Sequence, residues 1–254
     1  MHININQHIT FVVALFTATL LVAALSSAQQ PNATEILAKC ESVLNAPKDQ
    51  DMQAKIVLID SKGAQKERLM SVLQKGDDTR LIRFLSPADQ KGIGFLGLPK
   101  DVQYLYLPAF KKVRRIASHV KNQKFAGTDF TYDDMATLKW SADYTPAFLE
   151  GTNEHFVLEL APKGGTNKDY GKLKAWVQKD NFYPVKFEYY DRSGKLWKIM
   201  ERRNVEKVGP YWVSKEVEMK DIKDEHTTKM ILSEIKLDTG IPDNVFTERN
   251  LEKD

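Results

Sequence analysis

The sequence predicts a mainly β protein whose strands form an antiparallel sheet. From about residue 156 to residue 237, apolar and polar side chains alternate with the period of two that a half-buried strand shows. Polar turns separate the apolar runs, as at residues 60–63 (DSKG) and 191–194 (DRSG). No strand–helix–strand rhythm occurs, so a parallel nucleotide-binding sheet is not expected.

The amino-terminal segment, residues 1–28, is predicted to be a secretory signal peptide. Residues 9–25 carry no charge and are dominated by Phe, Val, Ala and Leu, and residues 26–28 (SSA) offer a small-residue cleavage site. The alternative is an uncleaved membrane anchor, because the apolar stretch is close to the length that spans a bilayer. Residues 29–254 are then predicted to form a single secreted domain.

One amphipathic helix is predicted at the start of this domain. Thr34 is expected to be its N-cap, and the helix should end near Asn45, before Pro47. Cys40 is the one cysteine of the chain, so it cannot form an internal disulfide, and its place among apolar residues predicts a buried thiol. The apolar residues at helical spacing are Ile36, Leu37, Cys40, Val43 and Leu44.

The overall charge argues against a nucleic-acid-binding protein. Lys and Arg total 37 and Asp and Glu total 34, and a net charge of +3 is too small to indicate a nucleic-acid partner. The two signs are also mixed along the chain, which is typical of solvated strand faces. We therefore expect no nucleic acid among the partners.

No motif predicts a metal site, a cofactor or catalysis. Residues 92–97 (GIGFLG) have the spacing of a dinucleotide-binding loop, but Pro99 follows and leaves no helix N-terminus to hold a phosphate. Tight turns or close backbone packing explain these glycines better. His119, His155 and His226 lack the paired spacing of metal ligands. We therefore predict a non-enzymatic protein without a cofactor or a metal.

The sharpest charge cluster lies at residues 111–115 (KKVRR). On a strand, this run would present basic side chains on both faces. One interpretation is an edge strand that is protected by charge, and the other is a docking site for an anionic membrane or an acidic partner. The docking residues would be Lys111, Lys112, Arg114 and Arg115.

Aromatic side chains concentrate in the first half of the domain. They are either a packed core or the lining of an apolar cleft in a barrel that its own side chains do not fill. These residues are Phe84, Phe95, Tyr104, Tyr106, Phe110, Phe125, Phe130 and Tyr132.

Four motifs of this half stand in the order found in one known family. They are residues 81–92 (LIRFLSPADQKG), 104–108 (YLYLP), 111–116 (KKVRRI) and 125–132 (FAGTDFTY), and the ending 240–246 (GIPDNVF) also fits. With these motifs the chain resembles the LolA-like outer-membrane lipoprotein-sorting proteins, in the branch found beside RND-type exporters. The resemblance covers essentially all of residues 29–254.

The resemblance implies a strongly curved antiparallel sheet, a half-open β-barrel with covering helices, around a hydrophobic cleft for acyl chains. It also implies a monomeric periplasmic carrier in outer-membrane biogenesis. The cargo would be the acyl chains of lipoproteins or lipids, and the partners an inner-membrane exporter and an outer-membrane acceptor. An arginine latches the lid in the better-known carriers, a role that falls to Arg80 or Arg83 here. The lipid-binding residues would be Phe84, Phe95, Leu96, Tyr104, Tyr106, Phe125 and Phe130.

Two breaks in the β pattern are predicted to be lids over the cleft. They are the helix from Ile36 to Leu44 and residues 118–138, which include a short predicted helix at 131–138. Movable lids are needed because each buried methylene contributes about 0.8 kcal/mol, so a rigid site would not release its cargo. The alternative function is a non-catalytic adaptor of a membrane exporter, which would dock through residues 111–115.

Overall fold

The computed structural model describes residues 31–136, 139–166 and 168–253, and the predicted signal peptide lies outside them. Three α-helices occur in the described part of the chain: α1 (Ala33–Leu44), α2 (Tyr132–Ala136) and α3 (Glu248–Leu251). The same part contains thirteen strands: β1 (Asp49–Ile59), β2 (Gln65–Lys75), β3 (Thr79–Ser86), β4 (Gly94–Leu98), β5 (Val102–Leu107), β6 (Lys112–Arg115), β7 (Tyr144–Gly151), β8 (His155–Pro162), β9 (Tyr170–Gln178), β10 (Pro184–Asp191), β11 (Leu196–Val208), β12 (Tyr211–Asp221) and β13 (His226–Leu237).

All thirteen described strands belong to one antiparallel sheet, in the order β6-β5-β4-β3-β2-β1-β13-β12-β11-β10-β9-β8-β7. Consecutive strands pair through hairpins, and the pairing of β1 with β13 joins the two meanders. The turns predicted at 60–63 and 191–194 are confirmed as the β1–β2 and β10–β11 connections. The edge strands β6 and β7 do not pair with each other, so the sheet is not closed.

The sheet is strongly curved around its main core. Ile82 and Phe84 of β3 belong to the same buried cluster as Leu158 of β8 and Phe187 of β10. Strands so far apart in the sheet order share a core only if the sheet curls toward closure. The predicted mainly β, half-open barrel is therefore confirmed.

Helix α1 covers the concave face and packs against β7 and β12. Its N-cap is Asn32, whose Oδ1 accepts the backbone N–H groups of Thr34 and Glu35 at 3.0 and 3.3 Å. The prediction of Thr34 as N-cap was wrong because Asn, a stronger N-cap than Thr, stands only two residues earlier. None of the helices in the described part of the chain has the length and hydropathy to cross a bilayer.

The convex face of β3–β5 is covered by the C-terminal segment. Leu81, Leu96 and Tyr106 form a second buried cluster there with Ile241, Phe246 and Leu251. Gly94 allows the close approach, because a Cβ at this position would lie 2.6 Å from Leu251 Cδ1. The glycine-rich run 92–97 thus leads into strand β4 and is explained by backbone packing.

Candidate functional site

A cavity of about 200 Å³ lies on the concave face, between the sheet and the ends of α1 and α2. Strands β1–β3 form one wall, and strands β9–β13 form the other. Cavities that hold a drug-sized ligand usually measure about 300–1,000 Å³. A long acyl chain therefore needs this cavity to widen as it enters.

The lining is apolar and adaptable. Five of the chain's seven methionines contribute to it, and flexible thioether side chains fill irregular spaces and rearrange easily. These methionines are Met52, Met70, Met135, Met200 and Met230. The aromatic lining residues are Phe130, Trp140, Tyr144, Tyr170, Tyr183, Tyr189 and Trp212.

The buried tyrosines add no charge to the lining. Burial raises the pKa of Tyr144, Tyr170 and Tyr189 well above the ordinary value of 10. Each phenol therefore stays a neutral hydroxyl at physiological pH, and these side chains present apolar rings with one polar tip.

Helix α1 closes one side of the cavity. It buries Ile36, Leu37 and Cys40 against the core, and burial raises the pKa of the Cys40 thiol to about 12. The helix is tied to the α2–β7 connection by Glu41, whose two carboxylate oxygens accept the backbone N–H and the hydroxyl of Ser141, both at 2.6 Å. This helix is one of the two predicted lids, and its buried face packs against the core at one side of the cavity, which is the position that a lid needs.

The second predicted lid, residues 118–136 in the described part, packs through aromatic rings against the sheet. The ring of Phe125 lies 5.8 Å from Phe84, 5.6 Å from Phe95 and 5.4 Å from Tyr132, measured between centroids. The short helix predicted at 131–138 is α2 (Tyr132–Ala136), and residues 137–138 lie outside the described residues.

A buried charged network, which sequence reasoning missed, fixes this segment to the sheet. Asp129 is fully buried, and its Oδ2 accepts the hydroxyl of Thr228 at 2.7 Å and contacts His226 Nδ1 at 2.6 Å. Its Oδ1 lies 3.1 Å from Lys124 Nζ, which also pairs with Asp224 at 2.7 Å. Burial alone would lower the pKa of Lys124, but hydrogen bonds with Asp224 and Asp129 raise it to about 12. We call these five residues the Asp129 network.

Arg80, one of the two residues predicted as a latch, contacts the second predicted lid. Its Nη1 donates to the carbonyl oxygen of Met135 in α2 at 2.8 Å, and its Nη2 donates to Gln74 Oε1 at 2.8 Å. Arg83, the other candidate, is not at this lid: it donates to the carbonyl oxygens of Asn250 and Leu251 at 2.9 and 3.3 Å. Successive residues of a strand face opposite sides of the sheet, so the odd separation of three residues places Arg80 and Arg83 on opposite faces.

The predicted lipid-binding residues divide among three places. Phe130 lines the cavity. Phe84 and Phe95 fill the adjoining core, where Phe125 of the second predicted lid packs against them. Leu96, Tyr104 and Tyr106 lie on the convex side with the C-terminal segment, so their prediction as cleft residues is corrected. The concentration of aromatic residues along the chain does not predict this division, because neighbouring residues of one strand face opposite sides of the sheet.

The basic residues Lys111, Lys112, Arg114 and Arg115 lie at the edge of the sheet. All four are exposed, β6 is an edge strand as predicted, and none of the four forms an ion pair with another described residue. Phe110, next to them, is 63 % exposed. Within the described part of the chain, no group of three His, Cys, Asp or Glu residues is arranged to hold a metal ion.

Comparison with solved structures defines the class of protein. A domain from Vibrio parahaemolyticus, described as an outer-membrane lipoprotein-sorting protein, is 28% identical over 87% of this chain and 100% of its own, with a TM-score of 0.79. Two further structures share the fold. One is a DUF1329 family protein from Desulfovibrio piger, which is 24% identical over 86% of this chain and 98% of its own, with a TM-score of 0.80. The other is a LolA superfamily protein from Nitrosomonas europaea, which is 24% identical over 86% of this chain and 98% of its own, with a TM-score of 0.73. The resemblance to LolA-like proteins is therefore confirmed.

The chain belongs to a family whose model matches residues 76–253 and whose description is that of an uncharacterized protein. A search of the curated proteins gives no match. None of the three descriptions above names an exporter, so the association with RND-type exporters stays a prediction.

Proposed function

We propose that this protein is a non-enzymatic periplasmic carrier that holds acyl chains of lipoproteins or lipids in the cavity and transfers them toward the outer membrane. The observation that carries the proposal is the methionine- and aromatic-lined cavity beneath two helical lids. The LolA-like fold and the lipoprotein-sorting description of the Vibrio protein agree with it.

The energetics favour a carrier whose cavity is small when no cargo is bound. Each methylene moved from water into an apolar site contributes about 0.8 kcal/mol, so a long chain would bind very tightly to a rigid, preformed cavity. Here, part of that free energy would be consumed in widening a cavity of about 200 Å³ and displacing the lids. This cost lowers the net affinity, so an acceptor can remove the cargo.

Filling the cavity tests the proposal. Ala54 lies in β1, is fully buried and lines the cavity, so Ala54→Phe should occupy the space that the acyl chain needs. Ala147→Phe, on the exposed side of β7, is the matched control. We expect native mass spectrometry to detect bound lipid, and added palmitate, in the wild type and in Ala147→Phe but not in a folded Ala54→Phe. A wild-type protein that stays empty after exposure to acyl probes would falsify the proposal.

The basic edge supports the second candidate, an adaptor of a membrane exporter. The four exposed, unpaired cations and the exposed Phe110 ring give an acidic partner both charge and apolar contact. The double variant Lys112→Glu, Arg114→Glu should then lose recovery with membranes in a pull-down while acyl binding is unchanged. Equal recovery of wild type and variant argues against the adaptor.

A further inference from the structure

Two arginines line the apolar cavity from opposite walls, Arg80 from β3 and Arg202 from β11. The Arg80 guanidinium uses two of its five N–H donors on Met135 and Gln74, as described above. Its Nε is buried without a hydrogen-bond partner among the described residues. A buried donor without a partner is costly, so this group favours an additional acceptor.

Arg202 is held by aromatic rings rather than by an acid. Its Cζ lies 5.5 Å from the ring centroid of Phe187 and 5.9 Å from that of Trp140. Its Nη1 donates to the carbonyl oxygen of Pro184 at 3.4 Å, which is long for a hydrogen bond. Stacking fixes the plane of the guanidinium and leaves most of its N–H edge unused.

Asp133 and Asp134 also line the cavity, but they form no ion pair with these two cations. No ion pair among the described residues includes Arg80 or Arg202, because the neighbouring carboxylates are engaged elsewhere. Burial, and then the like charge of Arg202, lower the pKa of Arg80 to about 10, so Arg80 is still cationic at neutral pH. The engaged acids are Glu41 with Ser141, Asp133 with Lys168, and Asp134 with Tyr170.

We propose that Arg80 and Arg202 form an anion-binding subsite of the cavity, so that the preferred cargo is an acyl chain that ends in a carboxylate or phosphate group. The proposal rests on the proposed function, and it names the ligand class of the same cavity. Guanidinium groups bind both anions through paired, charge-assisted hydrogen bonds. An anion between the two arginines would offset their mutual repulsion, while the methionines enclose the chain.

Three probes with the same C16 chain distinguish the contribution of the anionic group from that of the chain. They are palmitate, hexadecanol, which lacks the charge, and 1-palmitoyl lysophosphatidic acid, which carries a phosphate. Binding is followed by the fluorescence of Trp140 and Trp212, which both line the cavity. We expect an anionic probe to bind the wild type at least about tenfold more tightly than hexadecanol, which corresponds to about 1.4 kcal/mol. The ranking of the two anionic probes tells carboxylate from phosphate recognition.

Variants of two neighbouring arginines of β11 provide the comparison. Arg202→Gln should lose the preference for anionic probes while it still binds hexadecanol. Arg203→Gln is the matched control, because Arg203 is on the outer face and pairs with Glu201, Glu216 and Glu218. If Arg202→Gln does not fold, Arg202→Lys takes its place in the test. This variant keeps the positive charge, so it should retain part of the preference for anionic probes.

The outcomes separate the subsite from the carrier. Equal affinity of the wild type for palmitate, lysophosphatidic acid and hexadecanol overturns the anion subsite and leaves the acyl carrier intact. The same holds if Arg202→Gln keeps the anion preference of Arg203→Gln. If none of the three probes binds the wild type, the proposed function itself fails.

Discussion

Replacing Asp129 by Ala should loosen the second lid and destabilise the fold. This side chain is fully buried and joins residues 124–129 to the start of strand β13 through His226 and Thr228. Its removal leaves those two groups without their carboxylate partner and takes from Lys124 one of its ion-pair partners. The lid should therefore open more often than in the wild type.

The magnitude follows from the burial of the partners. Removing one member of a buried ion pair costs about 3–5 kcal/mol, and the lower end applies because the Lys124 side chain is 35% exposed and keeps Asp224. For a chain of this size, 1 kcal/mol shifts the melting temperature by roughly 2–4 °C. A loss of about 3 kcal/mol thus lowers the melting temperature by roughly 6–12 °C.

Thermal unfolding followed by circular dichroism measures the shift, with Asp224→Ala as control. Asp224 pairs with the same lysine, but its side chain is 57% exposed, so its removal should cost less than about 1 kcal/mol. Hydrogen exchange should show faster exchange of the amides of residues 121–136 in Asp129→Ala alone. Equal melting temperatures for the two variants, or unchanged exchange in this segment, would refute the anchoring role of Asp129.

Two further predictions concern titratable groups. Because burial raises the pKa of the Cys40 thiol to about 12, this thiol should react slowly with iodoacetamide at pH 8. It should react faster when bound cargo displaces α1. A reaction rate equal to that of the urea-unfolded chain would contradict the burial of Cys40. Burial alone would raise the pKa of Asp49, but hydrogen bonds from residues 239–241 outweigh it and lower the pKa below 3.8. Its stabilising contribution is therefore present above about pH 3.8 and lost as the pH falls further. Asp49→Asn should thus show a smaller fall in unfolding free energy between pH 5 and about pH 3 in urea titrations than the wild type, and an unchanged fall would contradict this.

The elements that local patterns predict well are those whose signal lies within a few residues. The apolar stripe of α1, the hairpin turns and the charged edge strand β6 are all where the sequence indicates them. The N-cap is shifted by two residues because Asn32 and Thr34 can both cap the helix and Asn is the stronger of the two. A local pattern therefore predicts which kind of element forms, but the exact boundary stays open where two neighbouring residues could each cap the helix.

The candidate site was predicted only in part, because it is assembled from distant residues. Arg80 and Phe130 line the cavity as predicted, whereas Leu96 and Tyr106 lie on the other face of the sheet. Arg202 gave no local signal, since it stands in a strand among other charged residues. Asp129 likewise acquires its role only through His226, which is 97 residues away in sequence.

The sequence by itself determined that this chain forms an antiparallel β-sheet with one amphipathic helix, because side-chain periodicity and turn chemistry act over a few residues. Its motifs also indicated the resemblance to LolA-like proteins, whose fold the chain shares. The tertiary structure alone decided which face each strand turns inward and which charges are buried together. The size of the cavity was also settled only by the folded chain. Those properties depend on how the sheet curls, and curling brings together strands that are separated by more than one hundred residues.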